Sequence, residues 1–268
     1  MSDSREDVAA TPGLVAPAGR SFVLRFLLLS LAALGAGWAI LVAPAQVQGE
    51  AIAATGRQIA QGATFQPEVL EPLMAPERAA FLGSPCVPSA QQGRQWIALK
   101  LSDLADQDSS NLARIDSSLE RLGQTARTAL ACSPYDGFAW LMLYWSHGRQ
   151  TGFHGKTLDF LEMSYATAPR EGALALYRNP RAILAFRNLP SRLQAQVLDE
   201  WRLLVGARLY ETAAVGLTQI AEADREQLLA QRDRIDPDIW ENFAVYLYRN
   251  GSDIVLPGTK PPPQRPWR

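Results

Sequence analysis

The chain has 268 residues, enough for one large domain or two small ones, with 47% hydrophobic and 20% charged residues, an ordinary globular mix. A net charge of −1 gives no overall pull toward nucleic acid. Two cysteines and two histidines, no pair at ligand spacing, do not predict a structural metal site.

Residues 1–20, rich in Ser, Asp, Ala and Pro, predict a disordered tail. The strongest single feature follows: "FLLLSLAALGAGWAILVAPA", residues 26–45. Residues 26–43 carry no charge and one hydroxyl, Ser30. That is about 18 residues, or roughly 27 Å of helix, which spans a bilayer core. Arg20 and Arg25 precede the stretch, and the next charges are Glu50 and Arg57. The positive-inside rule then puts the N-terminus in the cytoplasm and the chain after about residue 46 on the far side. A transmembrane signal-anchor helix is expected over residues 21–45. A cleaved signal peptide is the alternative, because Ala43-Pro44-Ala45 fits an A-x-A cleavage site. The long polar lead and long apolar run favour retention.

Residues 46–98 read as a juxtamembrane and linking segment. Cys86 lies there in "GSPCVPS", a Pro-bounded loop, and Cys132 closes the helical run "TARTALACSP". Two cysteines in an oxidising compartment most simply pair. The bridge would close a loop of about 45 residues and contribute about 3–4 kcal/mol. Two buried free thiols are the alternative.

Residues 99–250 read as helical throughout. "SSNLARIDSSLERLGQTARTALAC" places Leu112, Ile115, Leu119, Leu122 and Ala126 at helical spacing. Two stretches then overlay at an offset of 35 residues: "ALACSPYDGFAWL" and "SYATAPREGALAL". Pro134 lies over Pro169, Asp136-Gly137 over Glu171-Gly172, and Leu141 over Leu176. The offset is close to the tetratricopeptide period of about 34 residues. That motif ends a helix pair with Pro and sets small residues where helices approach, here Ala129 and Ser164. An aromatic residue fills the gap between repeats, here Trp140. Departures are Tyr144 at a small-residue position, His147 at the tyrosine position and Arg178 where Leu is expected. The pattern predicts one and a half to two degenerate repeats.

"QTGFHGKT", residues 150–157, ends like a phosphate-binding loop, but Gln150 stands where the pattern needs Gly. An aromatic-rich helix ending at Gly148 precedes it, where a strand is required. It reads as an interhelical loop, with Gly152 and Gly155 turning and Thr157 starting the next helix. No nucleotide is expected.

Beyond it, "SRLQAQVLDEWRLLVGARL" sets Leu193, Val197, Trp201 and Leu204 on one stripe. "TAAVGLTQIAEADREQLLAQRD" and "PDIWENFAVYLYRNG" follow as helices, with Pro237 a start and Asn250-Gly251 a stop. Residues 251–268 form a Pro-rich, extended tail. Charge is uneven. Residues 170–208 hold seven arginines against three acids, and residues 221–241 hold seven acids against three arginines. Two solvated faces, paired with each other, is the plain reading. An arginine-lined groove for an anionic glycan or acidic partner is the sharper one. Neither His147 nor His154 stands in a catalytic motif, and no GxSxG occurs. Trp140, Tyr144 and Trp145 could stack on a sugar, but their helical spacing favours a core role.

With the anchor, the "PCVPS" loop, the helix into "ALACSPYDGFAWL" and the "SYATAPREGALALYRN" stretch, the chain resembles the membrane-anchored, tetratricopeptide-like proteins of bacterial exopolysaccharide loci, the VpsP-like group. The likeness covers roughly residues 50–210. It implies a role in polysaccharide biosynthesis or export as an assembly factor, and it brings no catalytic residue. The expectation is an all-α protein: one transmembrane helix at the bacterial inner membrane, an irregular repeat in the periplasm, no enzyme activity and no cofactor. Its partners are expected to be proteins of the assembly machine, met on a concave face with Trp140, Tyr144, Arg178 and Arg181 as candidates. A glycan-active lyase or hydrolase with helix-borne carboxylates, and a general envelope chaperone or division-associated protein, are the alternatives.

Overall fold

The computed structural model describes residues 18–75, 86–107 and 110–260. Most of the expected N-terminal tail, part of the loop before Cys86 and residues 261–268 of the Pro-rich tail lie outside the described residues. Every regular element among the described residues is helical, so the expected all-α class is what the chain forms. Helix α1 spans Ala18–Ala60, and α2, Pro67–Leu70, runs into a 3₁₀ turn at Glu71–Met74. Then come α3 (Pro88–Gln107), α4 (Leu112–Cys132), α5 (Gly137–Thr151), α6 (Lys156–Thr167) and α7 (Gly172–Ile183). A 3₁₀ turn at Phe186–Asn188 leads to α8 (Ser191–Gly206), α9 (Tyr210–Gln219) and α10 (Glu222–Leu229). A last 3₁₀ turn, Ala230–Arg234, precedes α11 (Pro237–Arg249).

The chain forms two compact units, Met1–Gln48 and Gly49–Arg268. In the first, Phe22–Ala43 of α1 is long and apolar enough to cross a membrane. Its large side chains, Phe22, Leu29, Leu34 and Ile40 among them, are exposed. A bilayer would supply apolar surroundings for a run of that size.

The second unit is the helical repeat. Helices α3 to α6 pack each on the next, and α7 packs on α8 and α9. The local chemistry explains the starts. Asn111 Oδ1 accepts the Arg114 N–H at 3.0 Å, and Asp136 Oδ1 accepts those of Phe138 and Ala139 at 3.0 and 3.1 Å. Asp236 caps α11 the same way, with Pro237 in its first turn. The overlay is physical: α5 and α7 begin at Gly137 and Gly172, the expected offset. Small residues do close the pairs, since Ala129 and Ser164 are buried and Ser164 Oγ donates to Gly137 O at 2.8 Å.

Three local expectations need correction. Helix α5 runs past Gly148 to Thr151, because Gly148 is pressed on the Phe153 ring and Gly152, at φ 98°, makes the stop. The stretch 212–233 is not one helix. Ile220 and Ala221 turn to extended backbone, and Ile220 drops into the core. Leu112 is exposed and Ile115 only half-buried, so the buried stripe of α4 starts at Ser118 and Leu119. The tail also begins differently: Leu256 is buried, and Trp240 Nε1 donates to Pro257 O at 3.2 Å.

The last part of α1 belongs to this unit. Ile52 and Ile59 join Leu70, Ile97 and Leu101 in a separate small core. The expected linker of residues 46–98 thus contains the end of α1, α2 and half of α3. Gly56 and Gly93 sit face to face, and a Cβ on either would overlap backbone of the other helix. Gly93→Ala is therefore expected to cost about 1–3 kcal/mol by prying the two helices apart. Urea unfolding of the two proteins measures it, and unchanged stability would mean that the close crossing is not required.

Candidate functional site

The first helices of the successive pairs, α3, α5 and α7, share one face of the repeat. Three aromatic residues mark it, one from each helix: Trp96, Phe138 and Tyr177. Trp96 lies 4.4 Å from Phe138 and 4.8 Å from Tyr177, ring centre to ring centre. Next to them a cleft of about 250 Å³ opens, bounded by Arg57 and Ala53 from α1, Gln92 and Trp96 from α3, Phe138 from α5 and Leu174 from α7. Glu171, just before α7, stands at its rim. The lining is part aromatic, part polar, which suits a ligand with both an apolar side chain and hydrogen-bonding groups.

Further along the same three helices the face becomes charged. Arg149 of α5 grips Asp106 of α3 through two bonds of 2.6 and 3.0 Å. Arg181 of α7 reaches Asp103 of α3 at 3.4 Å. The Trp145 ring lies between the cations, 5.4 Å from Arg149 and 5.0 Å from Arg181. Burial pushes the Asp103 carboxyl above its ordinary value, although Arg181 opposes the shift. Burial likewise lowers Arg181, with Asp103 opposing. Desolvation thus outweighs attraction for both partners, so the pair locks α3 to α7 at a cost. Two donors here, Trp145 Nε1 and Arg181 Nε, are buried without a protein acceptor.

Of the four candidate residues, Arg181 lies on this face, its side chain 16% exposed. Trp140 is on the opposite side of α5, stacked on Phe160 and donating to Pro134 O at 2.9 Å, where it seals the repeat. Tyr144 and Arg178 are corrections. Both are fully buried, so neither offers a partner any surface. Tyr144 donates to Arg181 O at 3.2 Å, and Arg178 pairs with Glu200 at 2.6 Å. Five of the seven arginines of the charged stretch make ion pairs. They are Arg178, Arg181, Arg187, Arg192 and Arg202, and of these Arg187 and Arg192 stay exposed. The two charged segments do meet, through Arg187 to Asp224 and Arg234 to Asp199.

The loop after α5 is built for its own closure. The Thr157 side chain is buried, and its hydroxyl donates to Gly152 O at 3.0 Å and lies 2.7 Å from His147 Nδ1. Cys86 and Cys132 form the expected disulfide. The residues missed from sequence are Trp96, Phe138 and Tyr177. They are far apart in the chain, and only the register of three helices brings them together. No protein-family model, curated protein or solved structure matches the chain.

Proposed function

We propose that the protein is a non-catalytic, membrane-anchored scaffold for the assembly or export of an exopolysaccharide, and that it holds a segment of a partner protein in the cleft beside Trp96 and Phe138. The cleft is the observation that carries this reading. It offers aromatic walls, a polar rim and a lining drawn from four helices. Such a face positions a partner segment without needing a reacting group. The sequence likeness to the VpsP-like group supplies the pathway. The exposed apolar run of α1 supports an anchor at the bacterial inner membrane. The arginines before that run and the disulfide support a cytoplasmic N-terminus and a periplasmic repeat. An anchor of this kind works by raising the effective concentration of the bound segment at the membrane.

Ala173 lines the cleft and is exposed, so Ala173→Trp fills the cleft without disturbing the core. Cells carrying it are expected to make correctly folded protein and to lose polymer output, with the polymerising enzymes still active. Unchanged output would overturn the cleft as the working site. Depolymerisation of a polysaccharide by the purified protein would make it an enzyme instead. A deletion that spares the polymer but alters cell shape would make it a general envelope factor.

A further inference from the structure

The turn between α8 and α9 holds Arg208 at φ 62°, the one non-glycine with positive φ among the described residues. The Leu209 N–H bonds Leu204 O at 3.0 Å and the Arg208 N–H bonds Val205 O at 2.9 Å. That is a helix stop whose left-handed position normally takes Gly. A bulky arginine kept there is strained, and nothing in the core rewards it, because the side chain is exposed.

What Arg208 does reach is a cleft of about 360 Å³ between α9 and α11. Tyr210, Asn242, Val245, Tyr246, Arg249 and Asn250 complete it. Residues 242, 246 and 249 share one face of α11. The Tyr210 and Tyr246 rings lie 5.7 Å apart, and Tyr210 is held by its hydroxyl bond to Ile239 O at 3.2 Å. Burial raises the Tyr210 phenol above its ordinary value, and the nearby Arg208 cation opposes it. Asn242 and Asn250 each spend an amide N–H on backbone, at 2.7 and 2.8 Å. Their amide oxygens have no protein partner among the described residues.

The two cations differ from the arginines of α7 and α8. Neither Arg208 nor Arg249 has a carboxylate partner among the described residues, whereas five arginines between 178 and 202 do. We propose that this cleft binds an acidic saccharide. The unpaired guanidinium groups take the sugar carboxylate. The phenol rings give the flat, partly apolar walls that a pyranose ring needs, and the amides meet its hydroxyls. Tyr210, Asn242, Tyr246 and Arg249 stand on helices, whose backbone groups bond internally, so these walls lack the open edge by which extended peptides bind. The site lies apart from the cleft beside Trp96, and it stands or falls separately from the scaffold reading.

Calorimetric titration of the full chain in detergent tests it, with tetragalacturonate, maltotetraose, tetraglutamate and inorganic phosphate as probes. Tetragalacturonate is expected to bind saturably and maltotetraose not to bind. Arg208→Gly and Arg249→Gln should each weaken binding about tenfold or more. Arg208→Gly should melt at the same or a higher temperature, because Gly relieves the strained turn. No saturable binding of tetragalacturonate overturns the proposal. So does equally tight binding of tetraglutamate, which would make it an acidic-peptide site, or of phosphate, which would make it a simple anion site. A destabilised Arg208→Gly that binds normally would make Arg208 structural.

Discussion

Arg178→Ala is expected to destabilise the repeat by about 3–5 kcal/mol. The guanidinium is fully buried. Its Nε and Nη2 donate to Glu200 Oε1 at 3.0 and 2.6 Å. Nη1 and Nη2 also donate to Ser164 O and Ala168 O, at 2.8 and 3.0 Å, so the same group closes the C-terminal end of α6. The charge lies 4.0 Å above the Tyr165 ring, and Tyr165 in turn donates to the other Glu200 oxygen at 2.8 Å. Truncating Arg178 strips Glu200 of its cation and Ala168 O of its donor in one step, while Ser164 O keeps only the Ala168 N–H. Arg178→Lys should rescue little, since an ammonium cannot span the same set of acceptors. The pair Arg178→Met with Glu200→Leu should be milder than Arg178→Ala, because no charge is left buried. Urea unfolding of the four proteins decides it. A cost below about 1 kcal/mol for Arg178→Ala would mean that water reaches Glu200 in solution.

That network is only partly legible in the sequence. Arg178 was visible as a departure from the repeat, but arginine is rarely buried, so the surface was the natural place for it. The signal lay in α8. Glu200 falls between Val197 and Leu204 on the stripe that the spacing already marked as buried. An acid on a buried stripe demands a buried cation. The starts of α5 and α7 were legible because they are local: a Pro stop, then Asp136 or Glu171, then Gly. The α1–α3 crossing was not, because a close approach leaves only two glycines in distant segments and no periodicity. In the sequence Arg208 is one of seven arginines in a charged stretch. Its strained turn and its neighbour Arg249, two helices later, are properties of the folded chain alone.

Replacing Cys86 and Cys132 together by serine is expected to cost about 3–4 kcal/mol. The bridge closes a sequence separation of 46, with the two Cα atoms 5.7 Å apart. It lies just before α3 and at the last residue of α4, which have 20 and 21 residues. Helices α3 and α4 pack on each other and are nearly equal in length, so the bridge staples the end where α3 begins and α4 finishes. Cys86 itself is exposed, so little packing is lost with it. The loss should fall on the unfolded chain, which regains the freedom that the closed loop denied it. Unfolding of the wild-type protein before and after reduction should therefore reproduce the serine variant. If both changes cost under about 1 kcal/mol, the α3–α4 hairpin persists in the unfolded state and already restrains the loop. Alkylation on native membranes then addresses the cell. Labelling of both thiols only after reduction would place the repeat in an oxidising compartment, and free labelling would put it in a reducing one.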